Sequence, residues 1–194
     1  MSNKSRRQSD TELALLAQKG DTPAFEEIYD RHSSGVARAL ASFAGPDPDL
    51  LDDLTQDVFL RVIKSLASYV PTHPFSHWLY TIALNVGRNY ARKQSRVIPV
   101  NPSEFDSMPD TGGETTDWSE EVMAQTLSRL VAGLPIQMRE VVSLRIGSDM
   151  SYGEIAEMLG IPEGTARSRM HNAVKILRDR SGITRGMRRK ENGR

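Results

Sequence analysis

The side chains best suited to recognise a nucleic acid lie on a segment of helical spacing in the last quarter of the chain. Its outward positions carry polar and basic groups, namely Thr165, Arg167, Ser168, Arg169, His171, Lys175 and Arg178. Residues at the front of such a helix reach base edges in the major groove, where arginine can pair bidentately with guanine. Those further along are placed for phosphates. The pattern predicts contact with duplex DNA, and its plainer interpretation is a solvated helix face.

The residues just before this helix indicate how it is held. Segment 151–154 has the S-x-x-E form of a capping box, in which Ser151 and Glu154 satisfy free amides at a helix start. An apolar face with the small Ala156 follows, and Gly160 can adopt the left-handed conformation that ends a helix. A second helix begins after a short turn. The coincidence of cap, small residue, glycine turn and basic outer face favours a helix-turn-helix over an ordinary hairpin.

A second group of residues suits single-stranded DNA. A stiff loop over residues 69–76 contains two prolines and aromatic side chains, and it leads into a predicted helix over 75–94 with a basic end. Splayed bases stack on aromatic rings while the backbone meets lysine and arginine, so aromatics beside cations indicate a strand-binding surface. The alternative is that Phe75 and Trp78 belong to a hydrophobic core, and for Trp78 we favour that alternative.

Acidic side chains on the helix before that loop form a candidate docking surface. Asp53, Gln56, Asp57 and Leu60 share one side of this helix. The plainer interpretation is that the acids favour the early turns of a helix, with an Asp57–Arg61 pair worth about 0.2–0.5 kcal/mol. The sharper prediction is a surface for a partner protein.

Catalysis and metal binding are predicted to be absent. His73 and His77 flank the loop and several acids lie nearby, but two histidines without a clear third ligand make a poor zinc site. The sequence contains no cysteine, no Gly-rich phosphate loop and no nucleophile elbow. We therefore predict that the chain is not an enzyme and uses no metal or cofactor.

The elements that must position these groups are helices. No segment shows the alternation of a half-buried strand, and helical periodicity runs on both sides of a break rich in proline, glycine and acids. We predict an all-α protein of two small helical domains joined by a flexible acidic linker, the second domain with the helix-turn-helix. The predicted ranges are 10–96 for the first domain, 97–121 for the linker, 122–181 for the second domain and 182–194 for a basic disordered tail.

The first domain contains candidate helix caps and glycines within predicted helices. Asp10 is predicted to cap the first helix, and Thr22, which precedes a proline, is predicted to cap the second. Gly35 and Gly87 fall inside predicted helices, where each costs about 1 kcal/mol relative to alanine. Their presence indicates either a broken helix or one that is closely packed.

The net charge of zero over 194 residues conceals an asymmetry. Residues 1–96 hold 12 Lys/Arg and 11 Asp/Glu, residues 97–126 hold none and 7, and residues 127–194 hold 13 and 7. Two basic regions around an acidic strip are expected of a polyanion binder with two contact surfaces. The longest apolar run, Leu13–Ala17, is too short to span a membrane, and the lack of cysteine fits an intracellular protein. We predict a cytoplasmic protein with no membrane contact of its own.

Taken together, these segments resemble the extracytoplasmic-function (ECF) sigma factors of bacterial RNA polymerase, which belong to the sigma-70 family. The resemblance covers about residues 10–96 and 122–180, in the family's order and spacing. The residues that carry it are Asp53-Leu54-x-Gln56-Asp57-x-Phe59, Phe75-x-x-Trp78-Leu79-x-x-Ile82-Ala83-x-Asn85, and Leu134-Pro135 leading into Ser151-Tyr152-x-Glu154-Ile155-Ala156-x-x-Leu159-Gly160-Ile161-Pro162-x-Gly164-Thr165-x-Arg167-Ser168-Arg169.

The resemblance implies a role for each surface. A docking face for the clamp helices of the largest polymerase subunit would comprise Asp53, Gln56, Asp57, Leu60 and Arg61. A minus-ten set, which would read and melt the minus-ten promoter element, comprises Tyr69, Thr72, His73, Phe75, Ser76, Tyr80, Asn85, Arg88, Asn89 and Arg92. A minus-thirty-five set, which would read duplex DNA, comprises Glu163, Gly164, Thr165, Arg167, Ser168, Arg169, His171 and Lys175.

The resemblance also implies partners. Core RNA polymerase would do the chemistry, promoter DNA would be bound as duplex and as a melted non-template strand, and an anti-sigma factor is expected in a stress or signal response. Capture of extruded bases would help offset melting, which costs roughly 1.4 kcal/mol per stacked step. The acidic linker corresponds to the family's connector, which threads the polymerase cleft.

The alternative function is a helix-turn-helix transcriptional regulator with a helical sensory domain. Its DNA-binding motif would look nearly the same. A regulator, however, needs neither the docking face nor an aromatic and basic loop, and it usually dimerises on a palindrome. Those two features favour the sigma factor.

Overall fold

The computed structural model describes residues 8–97 and 120–181, and within those ranges it contains helices and no strand. A 3-10 turn, Leu66–Ser68, follows the third helix. The α-helices are α1 (Asp10–Gln18), α2 (Thr22–Ala44), α3 (Pro48–Ser65), α4 (Phe75–Val97), α5 (Glu120–Ala132), α6 (Ile136–Ser148), α7 (Tyr152–Leu159) and α8 (Glu163–Ser181). The all-α prediction is confirmed. Following the predicted division, helices α1–α4 are called the first domain and α5–α8 the second.

The predicted linker and tail lie almost entirely outside the described residues. At the linker's two ends the helices run slightly further than predicted, because α4 continues to Val97 and α5 already begins at Glu120. The tail over 182–194 stays a prediction in full. None of the helices within residues 8–97 and 120–181 has the length and hydropathy that a membrane span requires.

The predicted caps of the first two helices are each wrong by one residue. Ser9 caps α1 in a full capping box with Glu12, because an S-x-x-E pair satisfies two free amides where an aspartate satisfies one. Asp21 caps α2 by accepting a hydrogen bond from the Ala24 amide. Thr22 is therefore the first helical residue of α2 and not its cap.

Asp10 does not cap α1, and its side chain instead links α1 to α2. Its carboxylate lies 2.8 Å from His32 Nε2 and accepts a hydrogen bond of 2.8 Å from Arg31. The hydrogen bond to His32, followed by the bond to Arg31, lowers the pKa of Asp10 to about 2 against the opposing effect of burial. Arg31 also donates to Glu27. The start of α1 is thus tied to α2 by charged hydrogen bonds.

The two helical glycines mark close packing and not breaks. Both α2 and α4 are continuous through Gly35 and Gly87. A Cβ on Gly87 would collide with the ring of Phe43, so α2 and α4 approach each other closely there. A Cβ on Gly35 would collide with the carbonyl oxygen of Gly147 and the hydroxyl of Tyr80. Of the two alternatives that the sequence leaves open, close packing is confirmed.

One hydrophobic core runs through both domains. In the first domain it includes Ile28, Leu40, Val58 and Leu79, and it continues into the second domain through a set of buried side chains that comprises Val141, Leu144, Met150, Ile155, Ala156 and Ala166. The second domain has a small core of its own as well, formed by Val131, Leu134, Val142 and Ala173. Helix α6 supplies side chains to both cores, as expected of a helix that is buried on more than one side.

Helix α6 packs against α2 and α4 of the first domain. Ser143, fully buried on α6, donates a hydrogen bond of 3.0 Å to the carbonyl oxygen of Ala39 on α2. Arg139 places its guanidinium 6.0 Å from the centre of the Phe43 ring, and burial lowers the pKa of that arginine. The two domains are therefore joined by a packed interface that contains both apolar and polar contacts.

Candidate nucleic-acid and partner interfaces

The docking face lies on α3 and faces solvent. Asp53, Gln56, Leu60 and Arg61 are exposed, and Asp57 is half-buried. Arg61 donates two hydrogen bonds of 3.0 Å to the Asp57 carboxylate, and these bonds raise the pKa of the arginine. All five predicted residues are brought together on one helix surface, as expected from their spacing.

Two exposed apolar residues beside this face were missed by the sequence reasoning. Ile63 and Leu60 are each 53% exposed, one turn apart on α3. Tyr29 on α2 is 39% exposed, and its ring centre lies 4.7 Å from that of the buried Phe59. The three-residue spacing from Leu60 was a signal for Ile63, whereas only the packing of α2 on α3 brings Tyr29 to this surface. Solvent-facing apolar groups rimmed by charges are typical of a protein-binding surface.

The aromatic residues of the 69–76 loop are largely part of the core. Tyr69 and Phe75 are 4% and 1% exposed, and their rings meet edge to face with centres 5.3 Å apart. Trp78 packs against both but is only half-buried. The core alternative therefore describes Phe75 better than Trp78. Thr72 and His73 are exposed on this loop, and Ser76 is half-buried.

Helix α1 holds this loop in place. The side-chain amide of Gln18 donates one hydrogen bond to the Leu66 carbonyl oxygen (2.7 Å) and another to that of Tyr69 (2.8 Å). The Tyr69 hydroxyl in turn donates to the carbonyl oxygen of His73 across the loop (3.2 Å). Gln18 was not singled out from the sequence, because its partners are backbone carbonyls about fifty residues away.

The minus-ten residues on α4 form a polar ridge beside a buried tyrosine. Arg88 donates to Asn85, and Arg92 donates to Asn89, each pair three residues apart. Asn85 and Arg92 are exposed, and Arg88 and Asn89 are half-buried. The ridge is therefore only partly open to solvent.

Two members of the minus-ten set are engaged by α6. Arg88 Nε lies 2.6 Å from Glu140 Oε1. Tyr80 is 2% exposed, and its hydroxyl donates a hydrogen bond of 2.5 Å to the Gly147 carbonyl oxygen. Burial raises the pKa of Tyr80 to about 12, so this hydroxyl keeps its proton at neutral pH. Neither partner on α6 was predicted from the sequence.

The helix-turn-helix has the predicted geometry. Ser151 and Glu154 form the capping box at the start of α7, and hydrogen bonds from Ser151 lower the pKa of the Glu154 carboxyl. Gly160 ends α7 in the left-handed conformation with φ +64°, which an L-residue rarely adopts. Helix α8 follows after a short turn and packs on α7.

The minus-thirty-five set lies along the exposed side of α8. Thr165 and Arg169 are half-buried, and the remaining residues of this set are exposed, namely Glu163, Gly164, Arg167, Ser168, His171 and Lys175. Arg167 donates to Glu163 (3.1 Å), and its guanidinium lies 5.0 Å from the centre of the Tyr152 ring. These two contacts restrain the side chain of Arg167, whose planar guanidinium group presents its hydrogen-bond donors in one plane.

An open groove of about 520 Å³ runs beside this set between α7 and α8. The groove is lined by Tyr152, Met170 and Val174 and by the basic side chains of Lys175 and Arg178. Tyr152 was not assigned a role from the sequence beyond its place in the cap, although the guanidinium groups of Arg145 and Arg167 lie over its ring, 5.6 and 5.0 Å from the ring centre. Within residues 8–97 and 120–181, no group of three His, Cys, Asp or Glu side chains could hold a metal ion.

Two family models match the chain. The model described as Sigma-70 region 2 covers residues 28–97, which include the docking face and the minus-ten set. The model described as Sigma-70, region 4 covers residues 124–177, which include the helix-turn-helix.

Curated relatives match nearly the whole chain. The ECF RNA polymerase sigma-E factor of Escherichia coli (strain K12) is 31% identical over 184 residues, covering 89% of this chain and 94% of the relative. The protein of the same description from Haemophilus influenzae is 29% identical over 181 residues, covering 89% and 95%.

Solved structures share the fold. CnrH, solved in complex with the cytosolic domain of CnrY, matches with a TM-score of 0.65 and 27% identity over 92% of this chain and 99% of CnrH. The sigma factor RpoE of Bartonella quintana, solved with the anti-sigma factor NepR, matches with a TM-score of 0.58 and 22% identity over 82% and 97%. The second likeness bears on the fold alone.

Proposed function

The chain belongs to the ECF sigma factors of the sigma-70 family, and from that premise we propose which of its surfaces engages polymerase and which engages promoter DNA. It is an RNA polymerase sigma factor that directs transcription initiation, so the prediction of this function is confirmed. The alternative of a regulator with a sensory domain is not favoured. The phosphodiester chemistry is assigned to the polymerase, and the site of action to the cytoplasm.

Helix α3 is the surface for core polymerase. It combines exposed charge at Asp53 and Arg61 with more than half-exposed apolar groups at Leu60 and Ile63. Apolar anchors surrounded by charges suit a specific protein interface, where the apolar groups give affinity and the charges give register. This pairing of exposed apolar and charged side chains on one helix is the observation that carries the assignment.

The 69–76 loop and α4 are the surface for the melted minus-ten element. Thr72 and His73 are exposed on the loop, and the paired side chains of Asn85, Arg88 and Arg92 line α4. Arginine and asparagine offer donors to phosphates and base edges of a single strand. Tyr69, Phe75 and Tyr80 belong to the predicted minus-ten set, but they are buried, so we assign them to supporting this surface from beneath and not to contacting DNA. Ser76 and Asn89 lie at its border.

Helix α8 is the surface for the minus-thirty-five element. Its N-terminal turns present Arg167 and Ser168, which suit direct readout in the major groove, and Lys175 lies further along, where phosphate contacts are expected. The CnrH complex contains the cytosolic domain of CnrY. By likeness to that protein, a protein partner of the sigma factor is expected for this chain, and membership of the family implies that it is an anti-sigma factor.

The experiment that tests the assignment of α3 is a charge reversal at Asp53. Asp53→Lys should weaken binding to purified core RNA polymerase by tenfold or more, about 1.4 kcal/mol, in fluorescence anisotropy with labelled sigma factor. Asp53 is preferred to Asp57 because reversal at Asp57 would also break the pair with Arg61. Asp30→Lys, at an exposed carboxylate on α2 outside the docking face, is the matched control.

If Asp53→Lys and the wild type bound core polymerase with equal affinity, α3 would not be part of the interface with polymerase. Tight duplex binding by the free protein, together with no comigration with polymerase, would contradict the whole assignment and favour the regulator. Transcripts made in vitro with core enzyme would identify a promoter that this sigma factor recognises, for use in the transcription experiments.

A further inference from the structure

On the basis of the proposed function of α8, we propose that Tyr152 is a positioning residue for readout of the minus-thirty-five element. Its ring holds the guanidinium group of Arg167 in the orientation from which that arginine reads a base edge, and it thereby sets the preference for one base pair. Tyr152 lies on α7, the supporting helix of the helix-turn-helix. The proposal gives Tyr152 no contact of its own with a base.

Arg167 is an exposed side chain that its own helix holds only weakly. It lies in the second turn of α8, its side chain is 62% exposed, and it donates a hydrogen bond of 3.1 Å to Glu163 one turn earlier. An exposed ion pair restrains a long side chain poorly, because water competes for both partners. Glu163 alone therefore does not fix the orientation of this guanidinium group.

The ring of Tyr152 supplies the second contact. The guanidinium carbon of Arg167 lies over this ring, 5.0 Å from its centre. A guanidinium group is attracted to the negative face of an aromatic ring, and it can stack there while the hydrogen-bond donors at its edge stay available. The contact thus restrains Arg167 without blocking the donors that would pair with guanine.

The ring is itself fixed in place. Tyr152 is the first residue of α7 and directly follows Ser151, whose capping box sets the start of that helix. The guanidinium group of Arg145, on α6, lies over the same ring at 5.6 Å from its centre, and it donates a hydrogen bond of 2.6 Å to the Met150 carbonyl oxygen. The ring is half-buried and packs against the common core. Arg167 therefore rests on a support that belongs to two other helices.

A restrained arginine distinguishes base pairs better than a free one. Bidentate pairing with guanine needs two donors in one plane at one position, whereas phosphates line the whole duplex and can be met from many orientations. Without the ring, Arg167 would be free to bind phosphates, and its preference for guanine would fall. We therefore expect a loss of base-pair preference and not a loss of overall affinity for DNA.

The test variant is Tyr152→Leu, which removes the aromatic face and keeps an apolar side chain against the core. Tyr152→Phe is the matched control, because it keeps the ring and loses only the hydroxyl. The same phenylalanine with a pentafluorinated ring is a second test variant. Its shape is close to that of phenylalanine but the charge on its face is reversed, so it keeps the test valid if Tyr152→Leu fails to fold. Circular dichroism checks the fold of each variant.

Base-pair preference is measured with holoenzyme, assembled from core RNA polymerase and the full-length sigma factor, on a promoter that this factor recognises. Each base pair of the minus-thirty-five element is changed in turn, and the affinity for each duplex is measured by fluorescence anisotropy. The base pair at which Arg167→Ala abolishes the preference is the one that Arg167 reads.

At that base pair, Tyr152→Leu and the pentafluorinated variant should lower the preference about tenfold, since a bidentate pair with guanine discriminates by roughly that factor or more. Tyr152→Phe should keep the preference. Preferences at the other base pairs, and affinity for a duplex without the promoter, should not change. In the Arg167→Ala background, Tyr152→Leu should have no further effect on this preference, because its effect passes through the arginine.

Two results would overturn the role of Tyr152. One is an equal preference of Tyr152→Leu and the wild type at the base pair that Arg167 reads. The other is an equal loss at every base pair, which a general disturbance of the helix-turn-helix would produce. If Arg167→Ala changed no preference at all, the assignment of α8 to the minus-thirty-five element would fail as well, so the two failures can be told apart.

Discussion

At the scale of single residues, a few polar side chains hold the 69–76 loop in its conformation. Gln18 satisfies two carbonyl oxygens at the start of the 69–76 loop, and the Tyr69 hydroxyl closes the loop onto His73. A buried acceptor left without a donor costs free energy, so a single glutamine can hold a whole loop in one conformation.

Gln18→Ala should destabilise the protein by about 1–3 kcal/mol, because two carbonyl oxygens lose their donor. It should also slow open-complex formation on a duplex promoter, since the loop that we propose captures the melted strand becomes mobile. Transcription from a template with a pre-melted minus-ten bubble should be restored towards the wild-type level. Lys19→Ala, at the exposed neighbouring position, is the control. An equal defect on both templates would mean that Gln18 does not act through the loop.

Asp10→Asn should remove a pH dependence of stability that the wild type has. The pKa of Asp10 is lowered from 3.8 to about 2, so the ionised carboxylate stabilises the folded state above about pH 4, and that contribution is lost as the pH falls through about 2. At neutral pH the variant should be less stable by about 1 kcal/mol, and the two urea midpoints should converge between about pH 4 and 2. Asp30→Asn should show no such convergence, and parallel curves for Asp10→Asn would contradict the role of this carboxylate.

At the scale of elements, the helix ends are set by local chemistry. Ser9 with Glu12 and Ser151 with Glu154 form the same capping box at the starts of α1 and α7. The box at α7 has the greater consequence, because α7 packs on α8 and thereby orients the surface that we propose reads DNA.

Ser151→Ala should lower the free energy of unfolding by about 1 kcal/mol, the usual effect of losing an N-cap. Glu154→Gln should keep most of that stability, because glutamine also completes a capping box, whereas Glu154→Ala should not. Urea unfolding followed by circular dichroism measures all three. Ser34→Ala, at an exposed position inside α2, is the control and should change stability by less than about 0.5 kcal/mol. Equal losses in the Gln and Ala variants at 154 would argue against the box.

At the scale of the whole molecule, the two domains share one hydrophobic core, and we expect them to unfold as one cooperative unit. Helix α6 belongs to the core of the second domain through Val142 and to the common core through Val141 and Leu144. Loss of its contacts with α2 would expose apolar surface of both domains at once.

The wild type should therefore unfold in urea in a single transition. Trp118→Phe leaves Trp78 as the one tryptophan, a reporter of the first domain, and its fluorescence midpoint should coincide with the midpoint of the circular dichroism signal from all helices. In Gly147→Ala, whose added methyl group would lie 2.7 Å from the Cβ of Ala39 in the first domain, the two midpoints should separate. Separate midpoints in the wild-type background would show that the common core does not couple the domains.

Much of the fold follows from short-range patterns. The helical periodicity, the capping box at Ser151, the left-handed Gly160 and the shared face of the docking residues are all set by neighbours within four positions. Because these interactions involve only residues that are close in the sequence, the helix-turn-helix and the family could be predicted. The errors at Asp10 and Thr22 are also local, because adjacent residues compete for the same cap.

What the chain alone determined, then, was its helices, its DNA-reading motif and its membership of a sigma factor family. Only the tertiary structure decided that Arg88 pairs with Glu140, that Tyr80 is buried beneath Gly147, and that Gln18 holds the loop. The partners in these contacts are separated by about 50 to 70 positions. No periodicity or local spacing encodes them. The first two arise from the burial of α6 against α2 and α4, and the third from the packing of α1 beside the turn after α3, so each depends on the shapes of several helices together.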